Sequence, residues 1–176
     1  MANTAERLTT GEQGPTVRVE SKRFGSLDIP ADRIFELPEG LIGFPTRRRF
    51  VMLDHRPGSP FKWMLSIDDP ELAFAVAEPA DLVPGYAAPL EKIAAALSAE
   101  AGDVVMFSLV TIPSDPTQMT INLLAPVAVD LRSRIGRQIV LDDPRFDPAH
   151  RVVPEPKAEK PAQPAQPADP EKPEKP

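Results

Sequence analysis

The sequence predicts a mainly β domain: a small antiparallel β-barrel (pseudobarrel) with one or a few short capping helices. Three observations carry this prediction. Short segments with apolar residues at every second position recur along the chain, which is the period of a half-buried strand. Turns rich in Pro, Gly and Asp separate these segments at short intervals. A single stretch has a clear helical period. Eight or nine short strands with one helix fit a small antiparallel barrel better than a sandwich, because no landmark of an immunoglobulin-type sandwich is present.

The elements follow in order. Thr16-Val17-Arg18-Val19-Glu20 alternates, and so do Ile34 to Leu37 and Phe50 to Leu53. Phe61 to Ile67 predicts a strand with one fully apolar side, and Leu72 to Val76 a second one after the turn Asp68-Asp69-Pro70-Glu71. Pro89 to Leu97 predicts the helix, since Leu90, Ile93, Ala94 and Leu97 fall on one stripe. Pro89 suits its first turn, and Gly102 is placed to stop it. Val104 to Ile112 is nearly continuous in apolar residues, as a central strand should be; Met119 to Leu124 returns as its hairpin partner. Val127 to Leu131 and Arg137 to Leu141 supply two more strands, with Gly136 expected in the turn between them.

Composition bounds what can fold. Residues 154–176 contain no aromatic and no large aliphatic side chain, so ordering them would not be offset by burial. Residues 1–15 are polar and aperiodic. The expected organisation is a disordered segment 1–15, one β-barrel domain 16–153 and a disordered Pro-rich tail 154–176. Prolines at 161, 164, 167, 170, 173 and 176 would lie along one edge of a polyproline II helix. That fits a semi-stiff solvated extension or a Pro-rich ligand. The chain has no cysteine, which excludes disulfides, thiolate metal sites and a cysteine nucleophile. It shows no apolar signal-peptide core and no stretch near the roughly 18–20 apolar residues of a spanning helix. The expectation is a cytoplasmic protein with no membrane partner.

The formal charge is −6, and residues 25–153 alone carry it, with 12 Lys and Arg against 18 Asp and Glu. An acidic body disfavours nucleic acid, whose binding rests on neutralising phosphates. It favours basic protein partners, or it serves solubility alone. The acids have a notable placement around LAFAVA, residues 72–77. Asp68, Asp69 and Glu71 precede it; Glu78 and Asp81 follow it, and Pro70 and Pro79 stand in the two clusters. Proline fixes φ and lacks an N–H, so both clusters should be turns that hold carboxylates at the two mouths of one strand. This pattern points to a surface that binds something positively charged.

Chemistry is poorly provided for. His55 and His150 are isolated, and Asp54 and His55 are sequence neighbours whose side chains leave a strand on opposite faces. The acidic segment lacks the glycine and alternate-ligand spacing of an oxygen-only calcium loop. Scattered glycines make no phosphate-cradling loop. The basic run Arg47-Arg48-Arg49 fits a solvated face or partners for local carboxylates better than a nucleic-acid contact. The expectation is a protein without enzymatic activity, metal or cofactor.

Glu39-Gly40-Leu41-Ile42-Gly43-Phe44-Pro45, following Ile34-Phe35, resembles the signature turn of the flagellar assembly factor family, FliW. Phe50 to Leu53 fills the strand after that turn. Pro60 to Phe74 is similar to the family's most specific motif; Pro79 and Tyr86 fit the segment after it, and Gly136 to Leu141 its closing strand. The resemblance spans about Val17 to Val153. Ile42 stands where the family usually has Pro, and the Pro-rich tail has no counterpart. The resemblance implies a β-barrel-like binding factor that is not an enzyme. It implies two partners: CsrA, a small basic dimer that represses translation by binding messenger RNA, and flagellin. Flagellin would occupy the factor until export frees it to bind CsrA and lift repression. A dedicated flagellin chaperone without a regulatory role is the alternative. The basic partner would meet Asp68, Asp69, Glu71, Glu78 and Asp81; flagellin would use an apolar groove, for which Phe44, Tyr86 and Leu82 are candidates.

Overall fold

A computed structural model of the chain describes residues 14–152. The segments expected to be disordered, 1–15 and 154–176, lie outside the described residues except for Gly14 and Pro15. Among the described residues, eleven strands form a two-stranded and a nine-stranded sheet.

The two-stranded sheet is a hairpin of β1 (Thr16–Ser21) and β2 (Gly25–Pro30), paired from Thr16↔Pro30 to Ser21↔Gly25. It lies over the outer face of β4 (Arg49–Asp54) and β5 (Phe61–Ser66): Val19 and Ile29 bury against Val51, Leu65 and Ile67. The other face of the same two strands points inward. There Phe50, Met52 and Met64 join Phe35 of β3 (Phe35–Glu36), Leu37, Val76 of β6 (Ala73–Ala77), Phe107 of β7 (Val104–Thr111) and Val127 of β9 (Val127–Asp130). Covering both faces explains why Phe50-Val51-Met52 and Met64-Leu65 are unbroken apolar runs, and each such side chain contributes roughly 1.5–3 kcal/mol.

A third cluster lies under α2 (Leu90–Leu97), whose Ile93 buries against Ala77, Ala128 and Leu141. It extends to β8 (Thr120–Ile121) and β11 (His150–Arg151), which pair with each other. The expected β7–β8 hairpin is present, though short: Val110↔Ile121 and Thr111↔Thr120. A single turn of helix, α1 (Pro79–Leu82), follows β6.

The main path runs β10 (Gly136–Gln138)–β9–β7–β6–β5–β4–β3, all antiparallel. The fold is therefore mainly β with short helices, and the sheet is not closed. Its two end strands meet at one isolated parallel bridge, Glu36↔Ile135, where the Glu36 N–H donates to the Arg134 carbonyl at 2.8 Å. The next rung of a parallel ladder needs an N–H from residue 38, which is Pro38 and has none. Side chains continue the seam instead: Arg137 donates to Glu39 at 2.5 Å, and the Ile42 N–H donates to Gln138 Oε1 at 2.9 Å.

Two glycine expectations need correcting. Gly102 does not stop the helix; α2 ends at Leu97, with Ser98 in the left-handed region at φ 55°. The Ser98 and Ala99 N–H groups donate back to Ala95 and Ala94, which completes the ending four residues earlier. Gly136 is not in a turn but in β10. A Cβ there would sit 2.6 Å from the Ala128 carbonyl oxygen and 2.9 Å from Leu37 Cδ2, so the position requires glycine for close approach. The turn before β10 is instead made by Asp130. Its carboxylate accepts from the Arg132 and Ser133 N–H groups and the Ser133 hydroxyl, and Arg134 adopts φ 60°. Burial pushes the Asp130 carboxyl up, but those donors and the Arg132 charge outweigh it and hold it below the usual carboxylate range.

Candidate partner-binding surface

The acids around β6 divide into two groups with different surroundings. The first occupies the turn from Ser66 to Leu72. Ser66 Oγ accepts from the Asp69 N–H at 3.1 Å, and the Leu72 N–H donates to the Asp69 carbonyl at 2.9 Å. The neighbouring segment Arg47-Arg48-Arg49 runs alongside, because the Ile67 N–H donates to the Arg49 carbonyl at 2.8 Å.

Asp68 accepts three hydrogen bonds from that segment. The Arg48 and Arg49 N–H groups donate to Oδ2 at 2.8 Å each, and Arg49 Nε donates to Oδ1 at 2.7 Å. Its backbone is exposed, yet only 21 % of its side chain is open. Burial pushes the Asp68 carboxyl up. The two backbone donors, the Arg49 hydrogen bond and the Arg49 charge together outweigh that, so the carboxyl stays below the ordinary range. Asp69 Oδ2 accepts from Arg47 Nε and Nη2 at 3.1 and 3.0 Å. Glu71 is the most open of the three: Oε1 accepts from the Lys22 N–H at 2.9 Å, and Lys22 Nζ stands 3.9 Å from Oε2. The basic run thus serves local carboxylates through Arg47 and Arg49, which the sequence had left as one of two readings.

The second group lies at the far end of β6. Five residues of strand separate the two groups by about 17 Å, so they cannot grip a single charged side chain. Glu78 is half-buried and immediately precedes α1; Asp81 is exposed in the first turn of that helix. Asp81 borders a recess of about 590 Å³ with Asp54, Arg56, the Pro57–Pro60 loop and Lys62. Within it Lys62, whose side chain is only 11 % exposed, donates its ammonium to Asp54.

Phe44 and Tyr86 have different apolar neighbours. Phe44 is 38 % exposed and stands edge-on to Phe74 at 5.3 Å, against the inner core. Tyr86 is half-buried beside Phe146 at 5.3 Å, and its hydroxyl donates to the Leu123 carbonyl at 3.3 Å. Burial pushes the Tyr86 phenol up. Leu82 packs in the same cluster as Tyr86, which is under α2. Ile42 is more exposed than any of these, at 65 %, and sequence reasoning passed over it as a candidate. Its signal was available: an isoleucine flanked by turn residues in Glu39-Gly40-Leu41-Ile42-Gly43, where no strand or helix could bury it.

Among the described residues, no group of three or more His, Cys, Asp or Glu is placed to hold a metal ion. No helix among them is long and apolar enough to cross a membrane.

Comparison with known proteins places this arrangement. The FliW protein family matches residues 18–152. A flagellar assembly factor FliW of Desulfitobacterium hafniense is 35 % identical over 145 residues, covering 81 % of this chain and 95 % of that protein. One from Bdellovibrio bacteriovorus is 42 % identical over 127 residues, covering 71 % and 73 %. A crystal structure of the flagellar assembly factor FliW superimposes with a TM-score of 0.70 at 27 % identity, covering 79 % of this chain and 99 % of that one. These relatives bear the name of an assembly factor and not of an enzyme. The family match spans nearly the whole described domain, and the chain belongs to the FliW family.

Proposed function

We propose that this chain is a cytoplasmic flagellar assembly factor that acts by binding: it captures the translational regulator CsrA, relieves repression of flagellin messenger RNA, and releases CsrA when flagellin competes for it. The observation that carries the reading is the acid-flanked β6 in a chain of net charge −6, all of it carried by residues 25–153. A basic partner needs fixed negative groups, and turns pinned by Pro70 and Pro79 lose little entropy on binding. Within the set, Asp68 and Asp69 brace the turn, while Glu71 and Asp81 present the open carboxylates. Glu78 lies between strand and helix at the Asp81 end. Phe44, with Ile42 beside it, and Tyr86 offer apolar contacts for flagellin. The acidic body disfavours direct contact with nucleic acid.

A competition assay tests this. CsrA is immobilised, the protein is bound, and flagellin is titrated in. Displacement of the protein by flagellin is the expected result. Failure to bind CsrA at all, with flagellin still captured in solution, leaves the dedicated flagellin chaperone as the function. Charge reversal at Glu71 or Asp81 should weaken CsrA capture and flatten its loss with salt, because less attraction is left to be screened.

A further inference from the structure

Two recesses meet at Tyr86, the single tyrosine of the chain. One, of about 220 Å³, lies between Val83, Pro84, Tyr86, Phe146 and His150. The other, of about 250 Å³, is lined by Pro79, Tyr86, Ala88, Leu90 and Met106. Ala87 borders both, so together they form one groove along the 83–89 loop. Tyr86 is a fixed platform at their junction: its ring packs on Phe146 at 5.3 Å, and its hydroxyl donates to the Leu123 carbonyl. The titratable side chains along the groove, apart from Tyr86 itself, are Glu78, Arg145 and His150, and Arg145 is paired with Asp143. Such a lining suits an uncharged segment better than a strongly charged one.

The chain supplies an uncharged segment next to this groove. His150 of β11 lines the first recess, and two residues on, Val152 is buried in the cluster that also holds Phe146 and packs Tyr86. The Val152 N–H donates to the Met119 carbonyl at 3.0 Å, which fixes where the chain leaves the domain. Residues 153–160 can extend over at most about 28 Å, enough to bring Pro161 to either recess. Residues 161–168, Pro-Ala-Gln-Pro-Ala-Gln-Pro-Ala, carry no charge, whereas Lys160 and Asp169 flank them. In a polyproline II helix, Pro161, Pro164 and Pro167 would share one edge and span about 19 Å. A proline edge docked on an aromatic-lined groove is a recurring mode of recognition, because this helix is preformed and loses little entropy. The tether raises the effective concentration of the segment, so a weak contact is enough. The family match ends at residue 152, so the segment lies beyond what the match covers.

We propose that residues 161–168 fold back as a strap over the Tyr86 groove of their own chain, with the proline edge against the Tyr86 ring. The strap is a contact of the chain with itself and does not rest on the identity of either partner. It closes the groove to other apolar segments, so a protein that uses Tyr86 must first displace it.

The chain has no cysteine, so Ala165→Cys places a single nitroxide on the strap of the full-length protein. The readout is paramagnetic broadening of the Tyr86 ring signals by NMR, with the indole of Trp63, the single tryptophan, as internal reference. Trp63 lies in β5 and borders neither recess. Loss of most of the Tyr86 signal with Trp63 retained is expected. Proximity due to the tether alone is measured by adding Pro161→Gly, Pro164→Gly and Pro167→Gly to the labelled chain, which keeps the linker and removes the edge. The Tyr86 signal should then recover. Equal broadening with and without the prolines, or no selective loss at Tyr86, would overturn the strap and leave the groove open to a partner. Broadening in a mixture where nitroxide and observed tyrosine sit on different chains would mean that the segment docks on a second copy, which overturns it as well. None of these substitutions replaces a residue of the described domain.

Discussion

The two ends of β6 carry similar residues and do different things. Before the strand, Asp68 and Asp69 are bound by the Arg47–Arg49 segment through hydrogen bonds of 2.7–3.1 Å. After it, Asp81 stands open on a short helix beside a polar recess. The difference lies in what the neighbouring chain presents. At the first end a strand passes close enough to offer two backbone N–H groups and two guanidiniums. At the second, the Lys62 ammonium in the recess is committed to Asp54. Equal charge in the sequence is therefore unequal charge at the surface: the first cluster braces a turn, while Asp81 of the second stays open.

The largest expected effect comes from unseating the brace. Gly40 has φ +68°, and a Cβ there would fall 2.4 Å from the Phe44 carbonyl oxygen and 2.8 Å from Pro45 Cα. Both obstacles are backbone, so Gly40→Ala must distort the loop that leads into Arg47–Arg49. It should cost about 3 kcal/mol by chemical denaturation, from the clash and left-handed strain together. An unchanged midpoint would show that the loop does not position the arginines.

Next in size is Asp68→Asn, which keeps the shape but loses the charge that three donors address. A loss of about 2 kcal/mol is expected. The pH dependence has a definite sign. The Asp68 carboxyl is held below its ordinary range, so its contribution is full above that range and is lost as pH falls through the lowered folded value. Acid unfolding of the wild type should therefore be steeper than that of the Asn variant; parallel curves would remove Asp68 from the brace.

The smallest effect on stability is at the open end. Asp81→Lys should change the unfolding free energy by no more than about 0.5 kcal/mol, since no hydrogen bond to its carboxylate is lost. A markedly larger loss would make Asp81 a second brace and end the contrast between the two turns.

Much of the architecture was legible in the chain. Period-two segments located β1, β4, β5, β6, β7 and β9, and the stripe Leu90-Ile93-Ala94-Leu97 located α2, because burial against one face imposes its period on the sequence. β2 was missed although Leu27 and Ile29 alternate with Ser26 and Asp28; only six residues, ending in proline, carried the pattern. Gly102 and Gly136 were misplaced because glycine marks either a turn or a close approach, and the sequence does not distinguish them. At the candidate surface, residue types and the two turns were readable, but the division into braced and open carboxylates was not. Arg49 and Asp68 lie 19 residues apart, and nothing local records their pairing.

The amino-acid order by itself determined which segments could be strands, where prolines and glycines forbid continuation, and how much negative charge the domain carries. These follow from local sterics and composition. Which charges cancel, which face is covered twice, and where the sheet fails to close were decided only in three dimensions. Each depends on the register between distant strands, and a shift of one residue there would change every partner.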